Sequence, residues 1–231
     1  TNSIKDTGYD VANSLRFNDG SSDYLNRTPS SASNRRTFTI SSWVKRSSTE
    51  TGVKAIFSIG NSATSTADAN WFTLSFNGST NKFRLVQYNV VILETNRLFR
   101  DPSAWMHIVV AVDTTQGTAS NRLKLYINGV QETSFSTINY PSENYDFAVN
   151  NTIQHMIGRE DGNGSGYFDG YMAETVLIDG QALDPTSFGE FDEDSGIWKP
   201  INVSGLTFGT NGFYLDFENS GALGADVSGN T

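Results

Sequence analysis

The segment Phe38-Thr39-Ile40-Ser41-Ser42-Trp43-Val44-Lys45 sends Phe38, Ile40, Ser42 and Val44 to one side and Thr39, Ser41, Trp43 and Lys45 to the other. A period of two suits a strand with two usable faces and leaves a helix without an apolar stripe. The pattern returns downstream, where Leu123, Leu125 and Ile127 alternate with Lys124, Tyr126 and Asn128 before Asn128-Gly129, a pair that accepts the positive φ angles of a tight hairpin turn. Runs at 55–59, 71–76, 83–86 and 106–113 are short and apolar and stop at Gly, Asn or Asp, and 167–178 reads as one long strand. A helical signal is clear at one place, 184–188, where Asp184 caps and Pro185 takes the first helical position. About a dozen strands with one or two helical turns predict an all-β, antiparallel β-sandwich with recognition loops at its rim or on a concave face.

Composition agrees with that class. The chain has 231 residues, long enough for one large sandwich domain, and 12% of them are aromatic. Charged residues make up 18%, below the roughly 25% of an average soluble protein, so disorder is excluded. Lys and Arg number 16 against 25 Asp and Glu, a net charge of −9 with no basic stripe, which argues against nucleic acid and against anionic membrane surfaces as partners. The longest aliphatic run, Ile108 to Val112, is far short of the roughly 18 residues of a spanning helix. With no Cys, disulfides, thiolate metal sites and Cys nucleophiles are all absent. Thr1 to Asp6 holds neither an apolar signal core nor an initiator Met and reads as the start of an excerpt or a processed product.

The order of the strand segments carries a resemblance. Ser14-Leu15-Arg16-Phe17-Asn18-Asp19-Gly20 with Asp23-Tyr24-Leu25, then 38–45, then Trp105 to Val110, Leu123 to Val130, Ile157-Gly158 and Phe168-Asp169-Gly170-Tyr171-Met172-Ala173-Glu174, resembles the laminin-G-like, concanavalin A-like jelly rolls over 14–190. The resemblance implies a jelly roll at 14–190, an N-terminal extension at 1–13, and a C-terminal segment at 191–231. In that last segment 213–219 echoes 14–19 as a returning strand, followed by an extended tail. The stretch from Leu177 through Asp184-Pro185 and Gly196-Ile197-Trp198-Lys199-Pro200 is similar to virion proteins of tailed, often marine, bacteriophages. That similarity implies a place in the virion, on the particle surface or tail, as a noncatalytic fibre, spike or appendage module that attaches to host surface glycans. It leaves open a capsid or tail decoration protein bound to other virion subunits and, behind both, a glycoside hydrolase or lyase. The extended tail predicts contact with a neighbour, hence an oligomer or an assembly contact.

Candidate sites follow from chemistry and from the resemblance. The family's glucanase signature of three alternating acids is absent; the nearest cluster, 190–194, follows the predicted helix and reads as a solvated loop, so no catalytic residue is assigned. His107 and His155 stand alone and read as structural. The Gly162 to Gly166 stretch leads into a strand rather than a helix, and as an EF-hand 161–166 lacks the closing Glu. Calcium enters through the resemblance, which places ligands at Asn18, Asp19, Asp23, Asp169 and Glu174, with Ala173 standing where a further acid usually pairs with Glu174. Glycan recognition requires an aromatic platform beside amides or carboxylates, and Trp71, Tyr88, Tyr140, Tyr145 and Tyr167 are the candidates, with Asn70, Asn89, Asn144 and Asn163 close by. Trp43 and Trp105 are expected in the core.

Overall fold

The computed structural model describes residues 8–49, 51–60, 71–88, 90–160 and 165–230. The alternation at 37–46 becomes β3 (Thr37–Arg46), and around it stand β1 (Leu15–Phe17), β2 (Leu25–Arg27), β4 (Val53–Ile59), β5 (Phe72–Asn77), β6 (Lys82–Gln87), β7 (Val90–Leu98) and β8 (Met106–Asp113). They are followed by β9 (Leu123–Ile127), β10 (Val130–Glu132), β11 (Phe135–Ile138), β12 (His155–Ile157), β13 (Gly170–Asp179), β14 (Gly189–Phe191), β15 (Trp198–Pro200) and β16 (Phe213–Leu215). The first sheet runs β1-β13-β3-β8-β9-β10 with β16 also on β13, the second runs β11-β7-β6-β5-β4-β12-β2, and β14 pairs β15. Every pairing among them is antiparallel. The two large sheets enclose the main core, to which β3 gives Phe38, Ile40 and Val44, β5 gives Phe72, Leu74 and Phe76, and β9 gives Leu123, Leu125 and Ile127. This is the predicted antiparallel sandwich. The predicted helical turn is a single 3-10 turn at Pro185–Ser187, with the Asp184 carboxylate accepting from the Thr186 N–H.

β13 organises the edge of the first sheet. Against β3 its register slips between Ala173 and Val176, so Glu174 and Thr175 face one residue, Ser42, and Glu174 takes a left-handed φ of 48°. This is a β-bulge. On the other side of the strand, β1 pairs with Gly170 to Met172 and β16 pairs with Thr175 to Leu177. Phe213 and Leu215 of β16 enter the main core while Tyr214 points out. The tail after it turns back: the Tyr214 N–H donates to Asp226, the Val227 N–H to the Tyr214 carbonyl, and the Asn230 amide to the carbonyls of Gly209 and Gly212.

The outer face of the first sheet has its own cover. Val109, Val176 and Ile178 pack against Phe188, Val203, Phe208 and Tyr214 of the C-terminal segment. Beside them His107 is stacked on Trp43 with ring centres 4.8 Å apart, and the Trp198 indole N–H donates to its Nδ1 at 3.0 Å. Since Nδ1 accepts, the ring proton sits on Nε2 and goes to the Ser41 hydroxyl at 2.8 Å. Burial holds this imidazole neutral, its pKa lowered to about 3, so both structural histidine expectations concern satisfied interior groups; His155 accepts from the Asn150 N–H. Trp43 is buried as expected. Trp105 is not: at 38% exposure it lies on the outer face beyond the reach of the C-terminal cover, which corrects its placement in the core. The acidic stretch also needs correction, because Glu190 lies on strand β14, and Lys199 of β15 holds both it and Asp192 (3.4 and 3.2 Å).

Trp198 fits where two glycines leave room. A Cβ on Gly129 would come within 2.3 Å of the indole and one on Gly189 within 2.6 Å, and Gly129 also carries a φ of +78° in the turn after β9. Gly129→Ala therefore adds backbone strain and an indole clash. The expected loss is about 2–3 kcal/mol in a urea unfolding series, with wild-type cooperativity.

Candidate functional site

The five residues that the resemblance assigned to calcium are dealt out to different partners. Asn18 caps a 3-10 turn at Asp19–Ser21, its side chain accepting from the Gly20 N–H, and Asp23 closes the same turn by accepting from the Asn18 N–H. Asp19 meets Lys54 at 2.6 Å, and that ammonium group keeps the Asp19 carboxyl below its ordinary pKa. Asp169 meets Arg16 at 2.7 Å. Glu174 is carried by its bulge to the outer side, only 4% exposed, where it accepts from the Tyr214 hydroxyl at 2.5 Å and the Tyr9 hydroxyl at 3.2 Å. Among the described residues no three His, Asp or Glu side chains converge as a metal shell. Of the carboxylates a calcium ion would need, Asp19 and Asp169 are bound to cations, Glu174 to phenols and Asp23 to a backbone N–H, so the donor set as arranged does not fit the ion.

The five predicted aromatic residues also divide. Trp71 and Tyr88 meet edge to face at 6.5 Å, with the indole N–H donated to Thr73. Tyr140 is 37% exposed, while Tyr145 packs its ring at 5.0 Å against Phe147 and belongs to the wall of the core. Of their polar neighbours, Asn144 turns the chain with a φ of 60°, whereas Asn70, Asn89 and Asn163 lie outside the described residues, as does 161–164 of the glycine-rich stretch.

Tyr167 has the richest surroundings. Its ring lies 6.4 Å from that of Tyr24, and the Arg159 guanidinium sits 4.8 Å from the Tyr24 ring centre and 5.6 Å from that of Tyr167. A cation held against two π faces braces both phenols without using their hydroxyls. On the Tyr167 side a cleft opens at the rim between the sheets, walled by Asp19, Gly52, Lys54, Glu160 and Gly166. On the Tyr24 side a second depression is lined by Arg16, Ser22, Asp23 and Leu223. The rim thus joins one predicted glycan residue, Tyr167, with two of the residues assigned to calcium, Asp19 and Asp23. Sequence reading passed over Tyr24 as a contact and Arg159 altogether; Tyr24 follows the Asp-Gly turn directly, a usable cue, while nothing local marks Arg159.

Comparison with known proteins bears on the fold that carries this rim. A laminin G family model described as "Concanavalin A-like lectin/glucanases superfamily" matches residues 19–186. The chain belongs to the concanavalin A-like lectin/glucanases superfamily. No curated protein matches the chain significantly. Solved structures are similar to the chain at low identity. A heptameric SAP-like pentraxin from Limulus polyphemus is 20% identical over 76% of this chain and 74% of its own, with a TM-score of 0.48. A proposed carbohydrate binding protein from Bacteroides ovatus is 13% identical over 74% of this chain and 44% of its own, with a TM-score of 0.50. A sialidase from Trypanosoma rangeli is 14% identical over 65% of this chain and 21% of its own, with a TM-score of 0.45. This concanavalin A-like chain therefore spans less than half the length of the latter two.

Two outcomes are expected. Chelation with EDTA leaves the melting temperature unchanged, because Lys54 and Arg16 already neutralise the rim carboxylates. The second concerns Glu174, whose pKa is raised chiefly by burial. A carboxyl with a raised folded-state pKa adds stability that is complete below its unfolded value and is lost as pH rises through the folded one. Glu174→Gln keeps an acceptor for Tyr214 and removes that term, so in denaturant titrations the variant gains on wild type as pH climbs from about 4.5 to neutrality. His107 and His155 act in the opposite sense in both proteins, since their lowered pKa values of about 3 and about 4 withdraw stability as pH falls below about 6.5.

Proposed function

We propose that this domain is a noncatalytic glycan-binding module on the particle of a tailed bacteriophage, serving attachment to host surface sugars. The observation that carries the reading is the braced tyrosine pair at the rim: Tyr24 is 36% exposed, and Arg159 stiffens both rings. Phenol faces can take the C–H face of a pyranose, and Asp19, Lys54 and Glu160 supply hydroxyl partners around the cleft. The superfamily's lectin character supports it, and the virion setting rests on the similarity of 177–200 to phage proteins.

A noncatalytic role is supported by the state of the carboxyls. Glycoside hydrolysis requires one acid kept protonated and a second carboxylate across the scissile bond. Asp19 is held ionised by Lys54, and the carboxyl with a raised pKa, Glu174, lies on the outer side of the first sheet beneath two tyrosines, away from the rim. A second reading, decoration through contacts with other virion subunits, is favoured by the apolar side chains left bare beside the β14–β15 hairpin: Phe191 at 50%, Ile197 at 66% and Val130 at 60% exposure.

A glycan array combined with localisation of the protein in particles separates the two. The expected result is binding of defined host-surface glycans, weakened about tenfold, or about 1.4 kcal/mol, by Tyr24→Ala or Tyr167→Ala with the melting temperature retained. An empty array, with particle binding lost instead on Phe191→Ser and Ile197→Ser, would favour decoration.

A further inference from the structure

The C-terminal cover leaves one end of the first sheet's outer face bare, and four side chains follow one another across it. Lys45 pairs with Tyr171, Tyr171 pairs with Arg16, and Trp105 directly precedes Met106, the partner of Val44. Their neighbours Leu15, Phe17, Val44, Met106 and Met172 all face the main core, so the alternation turns Arg16, Lys45, Trp105 and Tyr171 outward. Tyr171 and Trp105 are each 38% exposed, and the Arg16 guanidinium lies 5.4 Å from the Tyr171 ring centre. One strand intervenes between the two aromatic residues, placing them on the order of 10 Å apart, two interstrand spacings. That is about the span of two linked pyranose rings.

The surface continues into a groove of about 400 Å³ lined by Asn13, Ser14, Trp43, Trp105 and Pro200 among others, with no charged side chain in its wall. Trp43 contributes part of its ring to this wall at 9% exposure. The groove wall is uncharged among the described residues, which favours a neutral ligand there, and exposed rings across several strands favour stacking on sugar faces.

From these observations we infer a second saccharide-binding surface, distinct from the rim cleft, that takes a neutral oligosaccharide laid across strands with one sugar on Tyr171 and another on Trp105. Lys45 and Arg16, each pointing outward between or beside the rings, donate to its hydroxyls. Asn13 and Ser14 take up the sugar that extends into the groove. The inference shares with the rim reading the chemical class of ligand and one residue, Arg16, which also lines the depression beside Tyr24.

Titration calorimetry on the full chain with chitohexaose, cellohexaose and laminarihexaose as probes tests it. At least one hexasaccharide is expected to bind; Trp105→Ala and Tyr171→Ala each weaken it tenfold or more, and the corresponding monosaccharide, which cannot reach both rings, binds at least a hundredfold less tightly. Both residues are exposed, so the variants are expected to melt within a few degrees of wild type. Tyr24→Ala and Tyr167→Ala leave this affinity within twofold, which makes failure of the rim distinguishable from failure here. The inference is overturned if none of the three hexasaccharides binds, if binding survives both substitutions, or if the rim variants weaken it as much as the Trp105 and Tyr171 variants do. Sedimentation showing self-association abolished by Trp105→Ala, with no sugar bound, would overturn it in favour of a second copy of the chain as occupant.

Discussion

The bulge in β13 is the constraint on which the first sheet's outer arrangement rests. By setting two residues against Ser42, it turns Glu174 outward and lets β1 and β16 share a single strand edge, one on each side of the irregularity. A carboxylate buried there without donors would cost several kcal/mol. Its donors come from the two ends of the chain, Tyr9 and Tyr214, at sequence separations of 165 and 40. Closure of the sandwich edge and satisfaction of this one group are therefore the same event.

What the C-terminal segment covers determines what remains for recognition. Phe188, Phe208 and Tyr214 bury the middle of the outer face, and Trp198, fitted between two glycines and hydrogen-bonded to His107, fixes where that cover stops. The neutral imidazole accepts at one nitrogen and donates at the other, so it orients Trp198 and Ser41 together without introducing a charge. Beyond that margin the sheet keeps its alternation but loses its shelter. At the opposite edge, the rim between the sheets is shaped by ion pairs that tie the 18–23 turn to β4 and the start of β13 to β1.

Much of the architecture was legible because strand alternation is local. Residues 38–45 and 123–127 show which side chains share a face, and Asn128-Gly129 marks its own turn. Alternation alone says nothing of whether a face is covered, which is why Trp43 and Trp105, equivalent in pattern, have different fates. The carboxylates were legible as residues and illegible as a site, because their partners are distant in sequence: Lys54 lies 35 positions from Asp19, and Arg16 lies 153 from Asp169. Glu174 could not be placed without the bulge, since a one-residue slip sends a side chain to the other face. Tyr167 was visible as an aromatic beside a turn, but its pairing with Tyr24 through Arg159 exists only once the β12–β13 connection meets the one between β1 and β2.

The two short strands on β13 run in the same direction and end to end. Leu215 stands opposite Thr175 and Leu15 opposite Met172, so the finish of one faces the start of the other across the bulge. Together they amount to a single strand with a nick in it. Topologically the sandwich is close to a ring opened at that point, and the opening could be moved to another surface loop with the ladder on β13 kept whole.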